Sequence, residues 1–268
     1  MNLIDQLNDY TVLTLAVLFI LSFIAGFIDS VVGGGGLIQL PALLINFPNS
    51  PLPTLFGTNK IAALSGTAVA AWQYSKRVKF DYKLLLIISF FALVASYAGA
   101  KAVSIINVKT LKPVILVILI LIAIYTYFKK DLGVVQTKQL SLSRKIIFGS
   151  LIGIAVGFYD GFFGPGTGSF FVLGFVVLLG YEFVTASAYA KFLNCMTNIS
   201  ALFVFIRQGN YLLLIALVMA IGNIAGSIMG SRAAMKRGNR FIRIFFLVIV
   251  TIMIARYSYD IFFVSTGN

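Results

Sequence analysis

One sequence pattern occurs twice in this chain, 131 positions apart, and both copies lie inside apolar stretches. Residues 26–36 read GFIDSVVGGGG, and residues 157–168 read GFYDGFFGPGTG. Each copy places one acid, Asp29 or Asp160, four positions before a glycine cluster. Such a cluster interrupts a helix in hydrocarbon, where each backbone polar group needs a partner. The chain is therefore predicted to contain two copies of one unit, each built around a broken helix.

The composition indicates a membrane protein. Hydrophobic residues make up 60% of the 268 positions and charged residues only 11%, whereas soluble domains carry about 25% charged residues. Several apolar runs approach the roughly 20 residues that a helix needs to span a bilayer. These runs do not alternate apolar and polar residues as the strands of a membrane barrel do. We therefore predict an all-α polytopic membrane protein in contact with the lipid bilayer.

Several classes of site and function are disfavoured. The chain has no histidine and a single cysteine, Cys195, so we expect no metal site, no cofactor, no internal disulfide and no enzyme activity. The net charge of +13 comes from basic residues in short loops between apolar runs. That distribution is typical of membrane orientation signals rather than of nucleic-acid binding.

The apolar runs divide the chain into two membrane repeats, residues 1–128 and 146–268, joined by a polar linker at 129–145 that is predicted to be cytoplasmic. Each repeat is predicted to contain a glycine-broken helix, a short re-entrant or half-length segment and three further helices. The predicted segments are 11–32, 37–47, 57–74, 84–103 and 111–128, then 146–163, 169–179, 186–207, 212–234 and 241–264.

Charge favours an inverted relation between the repeats. With the N-terminus outside, the inner loops 75–83, 129–145, 180–187 and 232–243 carry 14 lysines and arginines, against 5 on the outer side. A parallel relation would divide the same residues 11 to 8. Because cytoplasmic loops are enriched in basic residues, the two repeats are predicted to be inverted.

The breaks are candidate anion sites. A short helix that starts at a break has free N–H groups and the positive end of its dipole, and glycine lets the backbone approach a ligand closely. Helix packing is the alternative explanation of such small residues. The candidate residues at the breaks are Gly33, Gly34, Gly35, Gly36, Gly164, Gly166, Thr167 and Gly168.

Lys60 and Lys191 occupy equivalent repeat positions within membrane segments and are the candidate charged contacts of an anion. Together they are expected to give a central site a positive potential. The alternative is that each amine snorkels to the membrane interface. Asn59, Asn194 and Asn198 lie on the same helices, and the latter two share a helix face with Lys191, so they are candidate hydrogen-bond donors to the anion. The alternative is that these asparagines hold helices together.

Asp29 and Asp160 have two open interpretations. An ionised carboxylate in a membrane interior is costly unless it is paired or solvated. The acids could therefore serve proton or cation coupling and gating, or they could cap N–H groups at the breaks. A carboxylate is a poor ligand for an anion, so neither acid is assigned to substrate contact.

The two glycine-rich copies, together with Thr58-Asn59-Lys60, Lys191 and Asn194, resemble the sulfite exporter TauE/SafE family over nearly the whole chain. The resemblance implies a multi-pass permease of the prokaryotic cytoplasmic (inner) membrane, associated with sulfite, sulfonates and other organosulfur anions. Pro165 stands where the first copy has Gly34, so the two breaks need not be equivalent.

These observations predict a secondary transporter that moves small anions, sulfur oxyanions or organosulfonates, by alternating access, with export as the expected direction. A passive anion channel is the alternative. The anion, the coupling ion and the oligomeric state, including a homodimer, are left open by the sequence.

Overall fold

The computed structural model describes residues 11–103, 120, 124 and 133–259, and its regular structure there is helical, without strands. The helices are α1 Val12–Val32, α2 Gly36–Asn46, α3 Leu52–Ser75, α4 Tyr82–Ala102, α5 Leu142–Phe162, α6 Thr167–Gly174, α7 Phe183–Arg207 and α8 Leu213–Tyr259. A short π-helical turn, Phe175–Leu179, directly follows α6.

Five of these helices are long and apolar enough to cross a membrane, namely α1, α4, α5, α7 and the Leu213–Ile252 part of α8. The two helices that start at the breaks, α2 and α6, are apolar but too short to span the bilayer. Large apolar side chains such as Leu86, Ile147 and Ile221 are exposed on the outer faces, where lipid would cover them. The prediction of an all-α polytopic membrane protein is confirmed.

One predicted boundary was wrong. The third helix was expected to begin at residue 57, but α3 already begins at Leu52, because a proline is tolerated in the first turn of a helix. Residues 212–234 and 241–264 were expected to form two helices, and α8 does consist of two helices that meet at Gly238, whose φ of 74° and ψ of −164° are not helical. The predicted helix over 111–128 lies almost wholly outside the described residues.

Glycines allow several helices to pack closely against each other. Gly222, Gly226 and Gly230 of α8 lie against backbone carbonyls of α1, and Gly99 of α4 lies against the carbonyl of Phe158 in α5. A Cβ atom at any of these glycines would collide with that backbone. Close packing through small residues is typical of membrane helices, since it increases van der Waals contact.

Loops from different parts of the chain meet at each end of the helix bundle. At one end the Thr137 N–H donates to the Gly180 carbonyl at 2.9 Å, and the Phe183 N–H donates to the Gly133 carbonyl at 2.7 Å. Asn239 donates to the carbonyl of Val134 at the same end.

At the opposite end the first two turns of α3 lie beside the turn that follows α7. The Leu212 N–H donates to the Thr58 hydroxyl at 2.9 Å, and the Thr54 hydroxyl donates to the Asn210 side chain at 3.4 Å. Thr58 therefore has a structural role, and its hydroxyl also donates to the Thr54 carbonyl.

Candidate functional site

Both glycine clusters break their helices as predicted. In the first copy α1 ends at Val32, and Gly33 follows with φ of 86°. In the second copy Gly164 and Gly166 have φ of 93° and 82°. This left-handed conformation is strained for residues with a Cβ atom, and it redirects the chain into the short helices α2 and α6.

The two breaks touch each other through their backbones. The Ser169 N–H donates to the Gly33 carbonyl at 2.9 Å, and the Ser169 hydroxyl donates to the Val32 carbonyl at 2.9 Å. A Cβ atom on Gly168 would lie only 2.5 Å from Gly33 Cα. These two glycines are therefore needed for contact between the repeats.

Asp29 forms an ion pair with Lys191 of the other repeat, and both of its carboxylate oxygens also accept hydrogen bonds. Its Oδ2 atom lies 3.0 Å from Lys191 Nζ and accepts from the Thr67 hydroxyl at 3.1 Å. Its Oδ1 atom accepts from the Gly35 N–H at 3.4 Å, and Lys191 also donates to the Asp29 backbone carbonyl. The capping interpretation of Asp29 thus agrees with the structure, alongside a pairing that the sequence did not reveal.

Asp160 forms the repeat-equivalent pair with Lys60, at 2.7 Å between Oδ1 and Nζ. Both lysines are buried, with exposed fractions of 4% for Lys60 and 0% for Lys191, so neither amine snorkels to the interface. Each lysine pairs with the acid of the opposite repeat. The formal charges of the two pairs cancel, which differs from the positive potential expected from the lysines alone.

A cavity of about 20 Å³ lies between the breaks and the two ion pairs. It brings together most of the predicted site residues and adds only Ala63. Its lining is Asp29, Gly33, Gly36, Asn59, Lys60, Ala63, Asp160, Gly164, Gly166, Thr167, Gly168, Asn194 and Asn198.

Three predicted site residues do not line this cavity. Lys191 lies behind Asp29, to which it is paired. A Cβ atom on Gly34 would meet the side chains of Ile249 and Ile28, and one on Gly35 would meet Asp29 and Ala25. Both glycines are therefore packed against protein atoms and are not open to the cavity.

The asparagines of α7 share one face, as predicted from their spacing of four. The Asn198 amide donates to the Asn194 carbonyl at 2.7 Å and to its side-chain oxygen at 3.1 Å. Asn59 Oδ1, in contrast, is buried without a hydrogen-bond partner among the described residues. The cavity is thus lined by amide, carboxylate and ammonium groups, and it has room for about one water-sized molecule.

The sequence did not identify two residues of the site. Thr67 donates a hydrogen bond to Asp29, and Ser169 donates to the Gly33 carbonyl at the first break. Thr67 corresponds to Asn198 in the second repeat, so comparing polar residues at equivalent positions could have identified it. Ser169 carried no such signal, because its role depends on the contact between repeats. Within the described part of the chain, no cluster of three or more histidine, cysteine or acidic side chains could hold a metal ion.

A larger cavity of about 220 Å³ lies at the end of the bundle where the loops 76–81, 133–141 and 180–182 meet. It is lined by Lys79, Asp81, Gln136, Lys145, Tyr181, Glu182, Thr185 and Tyr189. Burial raises the pKa of Tyr181 above its ordinary value. The two lysines and two acids in its lining give this cavity no net formal charge. None of the predicted site residues lines this larger cavity.

Comparison with known proteins gives one consistent result. Residues 18–257 match the sequence profile of the family described as Sulfite exporter TauE/SafE. The chain is 41% identical over 250 residues to "Probable membrane transporter protein ORF9" of Sinorhizobium sp, covering 93% of this chain and 94% of that protein.

More distant relatives also align over nearly their full length. "Probable membrane transporter protein YfcA" of Escherichia coli K12 is 35% identical over 97% of this chain and 95% of its own. "Probable membrane transporter protein MJ0441" of Methanocaldococcus jannaschii is 26% identical over 94% of this chain and 98% of its own. These names are those of transporters and not of enzymes. No solved structure gives a significant match.

Proposed function

The chain belongs to the sulfite exporter TauE/SafE family and is a multi-pass membrane transporter, and on that premise we propose that it is a secondary transporter of small anions. The proposed substrates are sulfur oxyanions or organosulfonates, carried across the cytoplasmic membrane of a prokaryote by alternating access. Export is the direction that the family description suggests.

The pair of buried lysines beside two touching helix breaks carries this proposal. An ammonium group inside a membrane protein is costly and typically marks an ion or substrate pathway. Lys60 borders the cavity, and the N-terminal ends of α2 and α6 lie at the same breaks. An oxyanion between the breaks would therefore meet a lysine amine and the positive ends of two helix dipoles.

Alternating access is supported by the closed geometry of the site. A cavity of about 20 Å³ is too small for a sulfur oxyanion, so the breaks must separate before a substrate enters. The backbone contact between Gly33 and Ser169 is the bond that such a movement would open. Movement of one repeat against the other would expose the site to each side in turn.

The proposed inverted relation of the repeats is supported by the loop contacts. In a parallel arrangement the loops 129–145 and 180–187 would lie on opposite sides of the membrane. The bond between Thr137 and Gly180, and that between Phe183 and Gly133, join these loops at one end of the bundle. The repeat boundaries at residues 128 and 146 remain predictions.

Flux into proteoliposomes tests the proposal. We expect saturable uptake of at least one anion from a panel of sulfite, sulfate, thiosulfate, methanesulfonate and small carboxylates. Lys60→Ala should raise the half-saturating concentration at least about tenfold, which corresponds to one lost charged hydrogen bond. Lys76→Ala is the matched control, because this lysine is exposed and its substitution removes the same charge away from the site.

Flux that rises linearly with concentration and never saturates would favour a passive channel. Absence of flux for every anion in the panel would contradict anion transport. If wild type and Lys60→Ala have the same affinity for the anion, Lys60 does not contact the anion.

A further inference from the structure

The two ion pairs occupy equivalent repeat positions, but their acids are not equally bonded. Asp29 accepts hydrogen bonds from Lys191, from the Thr67 hydroxyl and from the Gly35 N–H. Among the described residues, the Asp160 carboxylate is bonded only to Lys60, through Oδ1. Its Oδ2 atom is buried and has no hydrogen-bond partner among the residues that the structure describes.

The difference has a local cause in the second repeat. The equivalent of Thr67 is Asn198, but the Asn198 amide donates to Asn194 instead of to the acid. The equivalent of Gly35 is Gly166, which has φ of 82° where Gly35 has −58°. Neither donor that satisfies the first acid is therefore available to Asp160.

An unbonded carboxylate oxygen in a buried site is unfavourable while the carboxylate is ionised. A proton on Oδ2 removes the charge and turns this oxygen into a donor. The unpartnered Asn59 Oδ1 is an acceptor in the lining of the same cavity, and the cavity has room for about one bridging water. The second acid is thus placed in surroundings that accommodate its neutral form.

We propose that Asp160 is the proton-binding site that couples anion transport to protons, whereas Asp29 has a structural role. Protonation of Asp160 releases the Lys60 amine, which then pairs with the substrate anion. Charge balances in this step, because the bound proton adds one positive charge and a monovalent anion adds one negative charge. This inference rests on the proposed transport of anions.

A proton fits this site better than a metal cation. The cavity lining contains three charged groups, Asp29, Lys60 and Asp160, and Lys191 lies behind Asp29. A sodium ion on Asp160 would lie close to the Lys60 ammonium, which is 2.7 Å from that carboxylate, and like charges at such distances repel strongly. A proton neutralises the carboxylate without placing a second cation beside the amine.

Anion and proton bind together in this scheme, so they move in the same direction. An inward proton gradient drives anion uptake. Net export requires an outward anion gradient that exceeds the inward proton gradient. The direction of net transport therefore depends on the relative sizes of the proton and anion gradients, and the same residues serve both directions.

The test uses full-length protein in proteoliposomes, with methanesulfonate as the probe because its charge is constant near neutral pH. The membrane potential is clamped to zero. With one proton per anion, a gradient of one pH unit, acidic outside, supports about tenfold accumulation in wild type. Asp160→Asn should lose this accumulation, to about onefold, and any exchange of labelled for unlabelled methanesulfonate that remains in this variant should not depend on pH. Asp160→Glu, which can still be protonated, should restore the response to the gradient.

Asp29→Asn separates coupling from structure. It is expected to lower the amount of assembled protein, and whatever protein assembles should keep its response to the pH gradient.

Gradient-driven accumulation that persists in Asp160→Asn would overturn the inference while leaving anion transport intact. Loss of both exchange and accumulation in Asp160→Asn and Asp160→Glu, with normal amounts in the membrane, would overturn it as well. If wild type carries no methanesulfonate but carries sulfate or thiosulfate, those anions replace the probe in the same experiment; failure with all of them contradicts the proposed function itself.

Discussion

Adding one methyl group at Gly168 should push the two helix breaks apart. The new Cβ atom would lie 2.5 Å from Gly33 Cα and 3.0 Å from the Gly33 carbonyl oxygen, whereas carbon atoms in contact are about 3.5–4.0 Å apart. The breaks must therefore separate by about 1 Å, which weakens the Ser169 to Gly33 hydrogen bond. Overpacking of this kind costs about 1–3 kcal/mol.

Two further glycines separate steric overlap from backbone strain. Gly209 has φ of 70°, and an added Cβ atom there would have no neighbour within 4 Å, so Gly209→Ala adds only the strain of the left-handed conformation, about 1–2 kcal/mol. Gly33→Ala adds that strain, since its φ is 86°, and also overlaps Gly168. It should therefore cost about 2–5 kcal/mol.

The assay is thermal unfolding of the full-length variants in one detergent. We expect Gly33→Ala to lower the unfolding temperature more than Gly209→Ala does. The double variant of Gly33 and Gly168 should lose less than the sum of the single losses, because both methyl groups open the same contact. If Gly33→Ala and Gly209→Ala unfold at the same temperature, or if the double variant is strictly additive, the breaks do not touch as described.

Three further outcomes are expected. Lys191→Met should destabilise the protein by about 3–5 kcal/mol, because it leaves Asp29 buried without its partner, and adding Asp29→Asn should restore part of that loss in thermal unfolding; no restoration would contradict the pairing. Thr67→Val should cost about 1–3 kcal/mol through the lost hydroxyl bond to Asp29, whereas Thr251→Val, at an exposed site, should change stability by less than about 0.5 kcal/mol; equal effects would contradict the contact. Gly35→Leu should abolish methanesulfonate flux, because its side chain would overlap the Ala25 carbonyl as well as Asp29 and would distort the first break; normal flux would show that this break tolerates rearrangement.

The glycine clusters could be interpreted from the sequence because their chemistry is local. Four consecutive glycines at 33–36 cannot continue a helix in hydrocarbon, and the same argument applied to Gly164 and Gly166. The repeat spacing then identified Lys60 and Lys191 as equivalent. These features predicted most residues that line the central cavity.

The pairing of charges could not be predicted in the same way. The repeat spacing relates Lys60 to Lys191, but it does not show that each lysine reaches the acid of the opposite repeat. That contact depends on how the repeats pack, as does the bond from Ser169 to Gly33. The lysines considered alone predicted a positive potential, whereas the structure contains two ion pairs whose formal charges cancel.

The central claim is that an oxyanion binds between the two breaks, beside Lys60. Selenite is a heavier analogue of sulfite, and its selenium atom can be located by anomalous scattering in crystals of the full-length protein. We expect a selenium peak between the two glycine clusters, within hydrogen-bond distance of the Lys60 amine. A selenium peak elsewhere in the protein, or none at a selenite concentration that inhibits anion flux, would contradict the account.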